Sequence, residues 1–299
     1  MNDRQARILI TGCRGQLGTA CRASLAHHAL NCLDLPEIDI ASPVSVQAAC
    51  EAFKPDCLIN CAAYTAVDQA ENDVAACSRT NAEGPRVLAQ TCAKNNIYFI
   101  HISTDYVFDG NRPVPQPWTE ADTPNPKTVY GHTKLAGERA VANAGCHYAI
   151  LRTAWLYSAN GKNFPKTMLR LALAGPDRTI RVVNDQHGCP TSAYELAQQI
   201  KTLVDAPERP TGIFHAVARN HTTWHGFAEA FLRLMKIPYS LAPCTTADYP
   251  TPAKRPANSI LENRALDAHG LCVMNTWEEA LAQFVAENHD ALLDECRHT

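Results

Sequence analysis

The chain has 299 residues, 46% of them hydrophobic and 19% charged, with a formal net charge of −3. Those proportions describe a globular protein with one large domain, or a main domain and a smaller one beside it. With no basic block and no apolar run of about 18 residues, they argue against nucleic-acid binding, anionic-membrane binding and a membrane span. Thirteen cysteines are odd in number, scattered, and without a Cys-x-x-Cys pair. Reduced thiols in a cytoplasmic protein are the expectation, and no apolar signal region follows Met1–Gln5.

Arg7-Ile8-Leu9-Ile10-Thr11 is a short apolar run ending at a glycine, which reads as a buried strand. Gly12-Cys13-Arg14-Gly15-Gln16-Leu17-Gly18 follows, and residues 17–30 then read as a helix. A glycine loop between strand and helix lets the backbone approach a pyrophosphate resting on the helix N-terminus. The spacing is Gly-x-x-Gly-x-x-Gly rather than the commoner Gly-x-Gly-x-x-Gly. Gly12, Gly15, Gln16, Leu17 and Gly18 are the candidate contacts, and an ordinary tight turn is the competing reading. Residues 31–35 form a second expected strand. Asp34, near its end, stands where an acid holds a ribose 2′-hydroxyl and repels a 2′-phosphate, whereas Arg14 would attract one. Asp39 and Ile40 are expected beside an adenine; the bland alternative makes both acids loop solubilisers.

Ser42-Pro43 looks like a helix start. Residues 56–61 are a third strand, followed by Ala62 and Ala63, whose small side chains leave room for a cofactor along the sheet edge. Thr65 offers a hydroxyl to a ribose or phosphate. Residues 75–95 read as a long helix and 98–103 as a fourth strand. Strands alternating with helices predict a parallel sheet covered on both faces. Thr104 ends the fourth strand beside the expected crevice, where its hydroxyl would hold a substrate carbonyl oxygen or make a structural turn.

Residues 111–128 carry five prolines and read as a loop. Then comes Tyr130-Gly131-His132-Thr133-Lys134. Tyr130 and Lys134 are four apart, hence on one helix face. A free tyrosine has a pKa of about 10. A nearby ammonium favours the phenolate and lowers it, which makes a general acid for a developing alkoxide. His132 should face away, towards the surface. Residues 148–152 are a fifth strand, and Trp155 follows its end, either as core or as an apolar wall for a sugar methyl.

Past about residue 160 the pattern loosens. Residues 163–174 and 195–204 look helical, 180–183 and 212–217 strand-like, 243–256 proline-rich, and 277–289 a terminal helix. The expected fold is α/β, a Rossmann-type doubly wound parallel sheet with a smaller C-terminal substrate-binding domain. Residues 1–160 would be the NAD(P)-binding domain. Residues 161–299 would be mainly substrate-binding, with about 212–218 returning to the sheet. The histidines show no metal-ligand spacing, and no residue is assigned to a metal.

Several strings together resemble the extended short-chain dehydrogenase/reductase superfamily and, within it, the dTDP-4-dehydrorhamnose reductase family. They are Gly12–Gly18, Asn60–Asp68, Ser103–Gly110, Tyr130–Glu138, Leu151–Tyr157, Asn163-Phe164, Asp185–Thr191 and Arg255-Pro256-Ala257-Asn258-Ser259. The glycine loop and the Tyr/Lys pair mark only the superfamily; Ser103–Gly110 and Arg255–Ser259 are far narrower. The resemblance implies NADPH- or NADH-dependent reduction of dTDP-4-dehydro-L-rhamnose to dTDP-L-rhamnose, a step of nucleotide-sugar and lipopolysaccharide biosynthesis. Hydride would reach C4 and Tyr130 would give the proton. Thr104, Tyr130 and Lys134 would be the catalytic set, with Tyr130 and Lys134 also on the cofactor. Thr104, Asp105, Val107, Trp155 and Asn163 would line the sugar side. Some family members carry Mg²⁺ on glutamates at a dimer interface. No glutamate maps here, so Mg²⁺ and the choice of monomer or homodimer stay open. Cys13, His187 and Cys189 depart from the family pattern. The same fold also serves as a non-catalytic regulatory subunit of methionine adenosyltransferase and as other sugar-nucleotide reductases or epimerases, which are the alternatives.

Overall fold

The computed structural model describes residues 5–175 and 178–297, so the reading of Met1–Gln5 lies, but for Gln5, outside the described residues. The first half contains β1 (Arg7–Thr11), α1 (Gln16–Ser24), β2 (Ala29–Leu33), α2 (Pro43–Phe53), β3 (Cys57–Asn60), α3 (Val67–Ala70), α4 (Val74–Ser78), α5 (Gly84–Asn95) and β4 (Tyr98–Thr104). It continues with α6 (Val129–Ala142), β5 (Tyr148–Thr153) and β6 (Leu156–Tyr157). The second half holds α7 (Phe164–Ala174), β7 (Thr179–Val183), β8 (His187–Gly188), β9 (Thr191–Ser192), α8 (Ala193–Asp205) and β10 (Gly212–His215). It ends with β11 (Thr222–Thr223), α9 (Trp224–Leu234), β12 (Ser240–Cys244), α10 (Arg264–Ala268) and α11 (Trp277–Arg297).

Six strands form one parallel sheet in the order β10-β5-β4-β3-β1-β2. The chain runs from β1 outward to β2, then crosses back to β3. The strand order therefore reverses between β1 and β3, and the crevice beyond their carboxyl ends is where an open α/β sheet receives a ligand. One face of the sheet packs Ile8, Ile10, Ile59, Ile100 and Leu151 against α1 and α8, through Leu17, Cys21, Leu196 and Ile200. The other face packs Leu9, Leu58, Phe99 and Ile150 against α2, α5 and α6, through Val46, Leu88, Cys92 and Val141. Such doubly covered strands are apolar on both sides, which is why they read as continuous apolar runs. A separate core joins α7, β7, α9 and α11 around Leu169, Phe227, Phe231, Trp277 and Leu281. No described helix is long and apolar enough to cross a membrane.

Local chemistry sets several boundaries. Ser42 accepts from Ser45 N at 3.3 Å and starts α2 with Pro43 in its first turn. The helical stretch expected over 17–30 stops at Ser24, and Ala29–Leu33 is strand instead. Pairing of Ala29 with Arg7 overrides the helix preference of this alanine-rich segment. β2 also ends two residues early. There Asp34 turns the chain by accepting from Leu35 N at 2.9 Å and Arg14 N at 3.0 Å. The long helix expected over 75–95 is interrupted by a π turn at Arg79–Glu83. The sequence reading assigned no element to α9, β12 or the two-residue strands; α9 buries Phe227, Ala228, Phe231 and Leu232.

Candidate functional site

The loop between β1 and α1 sits at the reversal point. Gly12 has φ +69°, and a Cβ there would lie 2.4 Å from Ala62 N. A Cβ on Gly18 would lie 2.2 Å from Gly12 O. These two glycines hold the loop against β3 and α1 against the loop. Gly15 differs: its backbone is extended, and an added Cβ would meet only Gly12 O, at 3.4 Å. It is also the N-cap of α1, with no side-chain hydrogen bond. The uncapped first turn of α1 thus presents backbone N–H groups over an open cradle, a fit for a pyrophosphate. Leu17 and Cys13 point the other way, 5% and 4% exposed in the core under the loop. Leu17 therefore offers a ligand only its backbone, and the cysteine that departs from the family pattern is a packing residue.

Gln16 Oε1 accepts from Ser158 Oγ and Asn163 Nδ2, both at 3.1 Å. Asn163, expected on the sugar side, caps α7 by accepting from Lys166 N at 3.2 Å and donates to Ser158 O at 2.6 Å. Its amide is committed to tying α7 to α1, and it is absent from the lining of the large cavity described below. Arg14 folds onto the turn after β2, donating to Leu35 O at 2.8 Å and pairing with Glu37. Asp39 pairs with Arg79, whose hydrogen bond lowers the carboxyl pKa. Ile40 is buried in the core, beside Gly84, so its side chain is closed to an adenine. Ala62 N donates to Asn60 Oδ1 at 3.1 Å; Ala63 is half-buried and Thr65 exposed.

On the other side of the crevice, Thr104–Val107 form a tight turn after β4. Thr104 Oγ1 accepts from Tyr106 N at 3.2 Å and donates to Asp105 Oδ1 at 2.8 Å. Asp105 is 3% exposed, and its Oδ2 makes no hydrogen bond. Burial pushes its pKa up to about 6, against the nearby hydroxyls of Thr104 and Ser259. Val107 does not face a sugar: it is fully buried with Phe108, Trp118, Leu135 and Leu261, and its carbonyl accepts from Asn125 N.

Thr128 caps α6 by accepting from Gly131 N at 3.0 Å. A Cβ on Gly131 would stand 2.3 Å from Tyr106 O. The glycine inside Tyr-Gly-His-Thr-Lys is what brings the helix, and Tyr130 with it, onto the Thr104 turn. Tyr106 and Tyr130 meet edge to face at 5.5 Å. Tyr130 is 9% and Lys134 1% exposed, and Lys134 Nζ donates to Ile102 O at 2.5 Å. His132 is exposed.

The electrostatics correct one expectation. The Tyr130 pKa is not lowered here. Burial raises it above the ordinary tyrosine value; the Thr104 hydroxyl opposes that, and Asp105 adds to it. Burial also pushes Lys134 down to about 8. Desolvation is thus the largest influence on both members of the pair.

Trp155 has φ +48°, and its ring stacks on Trp224 at 3.6 Å and 7°. Both tryptophans line a cavity of about 770 Å³ with Tyr106, Phe164, Arg181 and Arg255. Tyr106 joins that cavity to Tyr130. Phe164 belongs to the Asn163-Phe164 string of the sequence reading but was given no role there, and Trp224 and Arg181 were not singled out; the amphipathic run of α9 was the signal for Trp224. Arg255 pairs with Asp68 at 2.5 Å, linking the narrow Arg255–Ser259 string to the segment after β3. Asn258 in that string is fully buried and donates to Arg112 O and Gln116 O, fastening the proline-rich loop.

Among the described residues one metal-like group occurs, His27, His28 and Asp205, brought together although sequence spacing gave no hint of it. Ala6 N donates to His28 Nδ1, so the His28 proton sits on Nε2, 2.8 Å from Asp205 Oδ1. Lys201 Nζ lies 2.5 Å from Asp205 Oδ2. Hydrogen bonds and an ammonium already satisfy this group.

A parallel six-stranded sheet, a glycine loop at its reversal point and a buried Tyr/Lys helix across the crevice define an oxidoreductase of the extended short-chain dehydrogenase/reductase type. The chain belongs to the dTDP-4-dehydrorhamnose reductase family; the family described as RmlD substrate binding domain matches residues 6–289. It is 37% identical over 297 residues to dTDP-4-dehydrorhamnose reductase of Burkholderia thailandensis, covering 94% of this chain and 98% of that one. It is 38% identical to a probable dTDP-4,6-dihydroxy-2-methyloxan-3-one 4-ketoreductase of Streptomyces antibioticus, covering 93% of this chain and 94% of the other. The dTDP-4-dehydrorhamnose reductase of Bacillus anthracis, solved in complex with NADP, superposes with a TM-score of 0.90 at 34% identity, over 95% of this chain and 100% of that one.

Proposed function

We propose that this chain reduces the 4-keto group of dTDP-4-dehydro-L-rhamnose to give dTDP-L-rhamnose, using NADPH or NADH. The observation that carries the reading is Tyr106, which lies edge to face on Tyr130, follows Thr104 in the turn after β4, and lines the Trp155 cavity. The Bacillus anthracis relative's NADP complex supports a nicotinamide cofactor. When bound, that cofactor supplies the hydride.

The chain's own residues do the rest. The first turn of α1 holds the pyrophosphate. Tyr130, kept protonated by its burial, hands its proton to the carbonyl oxygen as negative charge grows there. Lys134 lies one turn further along α6 and holds the nicotinamide ribose. Thr104 has a single hydroxyl proton, which it donates in a hydrogen bond to Asp105 Oδ1 in this arrangement. Protonation of Asp105 frees it for the substrate oxygen, where a fixed donor stabilises developing charge. Trp155, backed by Trp224, forms a flat apolar wall for the C6 methyl. Residues 161–299 act mainly as the substrate-binding part.

The test is to mix purified protein with NAD(P)H and the keto sugar nucleotide and follow loss of the reduced-cofactor absorbance. Cofactor binding without turnover on any sugar nucleotide would point to a non-catalytic binding module. The similarity to the Streptomyces antibioticus ketoreductase favours a second reading, reduction of another dTDP-linked 4-keto sugar, which the same assay with that substrate separates.

A further inference from the structure

Beneath α6 the sheet face turns polar. Thr11, Asn60 and His101 stand side by side on β1, β3 and β4, joined by Thr11 Oγ1 to Asn60 Oδ1 at 2.8 Å and Asn60 Nδ2 to His101 Nδ1 at 3.1 Å. Two residues further along β4, Ser103 stands beside Arg152 of β5. Over this floor lie two buried charged residues of α6, one helical turn apart: Lys134, 1% exposed, and Glu138, 2% exposed. Arg152 grips Glu138 with two parallel bonds, Nε to Oε1 at 2.9 Å and Nη2 to Oε2 at 2.7 Å. The Ser103 hydroxyl donates to Oε1 at 2.5 Å.

We propose that Glu138, held in place by Ser103 and Arg152, is a positioning residue that keeps Lys134 in its ammonium form. The proposal rests on the reading of Lys134 as the cation paired with Tyr130. The groups acting on Lys134 are Glu138 on its own helix, Cys77 on α4 and His101 on β4, with Tyr130 one turn before it on α6 and Arg152 of β5 holding Glu138. Glu138 is the carboxylate among them. Burial drives the Lys134 pKa down to about 8, and Glu138 is the foremost influence in the other direction. His101 cannot share that task, because burial and Lys134 hold it neutral. An opposite charge nearby favours the charged form. Without Glu138 no carboxylate would oppose the burial of Lys134, and the balance would move towards the neutral amine.

The two ends of the Glu138–Arg152 pair act on Lys134 with opposite sign, and this separates an electrostatic role from a purely structural one. In cofactor-free protein labelled with ¹⁵N-lysine, the Lys134 Nζ resonance is titrated by NMR. Glu138→Gln should lower the Lys134 pKa by about one unit or more. Arg152→Met, which leaves Glu138 uncompensated, should raise it. Glu138→Asp, which keeps the charge, should restore it towards the parent value. The alkaline limb of the kcat/KM profile should move in the same directions. Should Glu138→Gln fail to fold, Arg152→Met decides alone. Unchanged lysine titration in the variants that fold, or shifts of the same sign in both, overturns the proposal. The NMR readout needs no substrate, so it stands or falls apart from the assignment of the reaction.

Discussion

Thr104 donates its one hydroxyl hydrogen bond to its immediate neighbour: Oγ1 lies 2.8 Å from Asp105 Oδ1. The acceptor is a buried acid whose pKa is pushed up to about 6. A carboxyl with a higher pKa in the fold than in the unfolded chain, where it is about 3.9, favours the fold at low pH. That contribution is lost as pH rises through about 6. Asp105→Asn should therefore be more stable than the parent near pH 8 by about 2–3 kcal/mol. The difference should vanish towards about pH 4. Urea unfolding at both pH values checks this; a pH-independent difference would remove the raised pKa.

Tyr130→Phe should lower turnover by about 10²–10⁴-fold, the usual worth of general acid catalysis. Cofactor affinity should stay nearly unchanged, because the phenol acts on the substrate oxygen. Turnover within a few-fold of the parent would take Tyr130 out of the acid role.

Gly15 and Gly18 should respond differently to substitution. A Cβ at Gly15 meets only Gly12 O, at 3.4 Å, so Gly15→Val should fold normally and lose NAD(P)H binding in a fluorescence titration. A Cβ at Gly18 strikes the Gly12 carbonyl, so Gly18→Ala should cost about 1–3 kcal/mol of stability, the range for overpacking. Full cofactor affinity in Gly15→Val would reduce the loop to a turn.

Asp34 stands at the end of β2, bonded to the loop through Arg14 N. The enzyme should accept both reduced cofactors, with NADPH disfavoured by Asp34 and partly rescued by Arg14. Asp34→Ala should improve NADPH relative to NADH by roughly fivefold, about 1 kcal/mol for one exposed like charge. A shift the other way in the ratio of kcat/KM values refutes the placement.

Trp155→Ala should lower catalytic efficiency on the keto sugar nucleotide and spare cofactor affinity, since hydride transfer needs a near-attack geometry. Trp224→Ala should do the same more weakly, because it removes only the ring behind Trp155, a contact of about 0.5–1.5 kcal/mol. If Trp155→Ala is insoluble, or loses cofactor binding to the same degree, Trp155 is core.

The parallel sheet was legible because its strands are buried on both faces and punctuated by glycine, and the Tyr130/Lys134 face because helical spacing is local. What escaped depends on distant parts of the chain. No local pattern says that the Asn163 amide reaches Gln16, 147 positions away, or that Val107 is enclosed by Trp118 and Leu261. The direction of the Tyr130 pKa was misjudged for the same reason. Spacing reveals a neighbour four residues on, whereas burial is set by the whole fold.

The chain passes between its two cores more than once. After residue 160 it builds the cluster around Phe227, yet it also sends back α8 to cover one sheet face and β10 to extend the sheet beyond β5. A fragment ending at residue 160 would keep five strands of the sheet and leave the face carrying Ile8, Ile10, Ile59 and Leu151 covered by α1 alone, without α8. The halves are therefore not exchangeable cassettes. Cavity-lining residues such as Phe164, Arg181 or Trp224 can change one at a time, while the half that carries the glycine loop cannot be transplanted without the second half of its own scaffold.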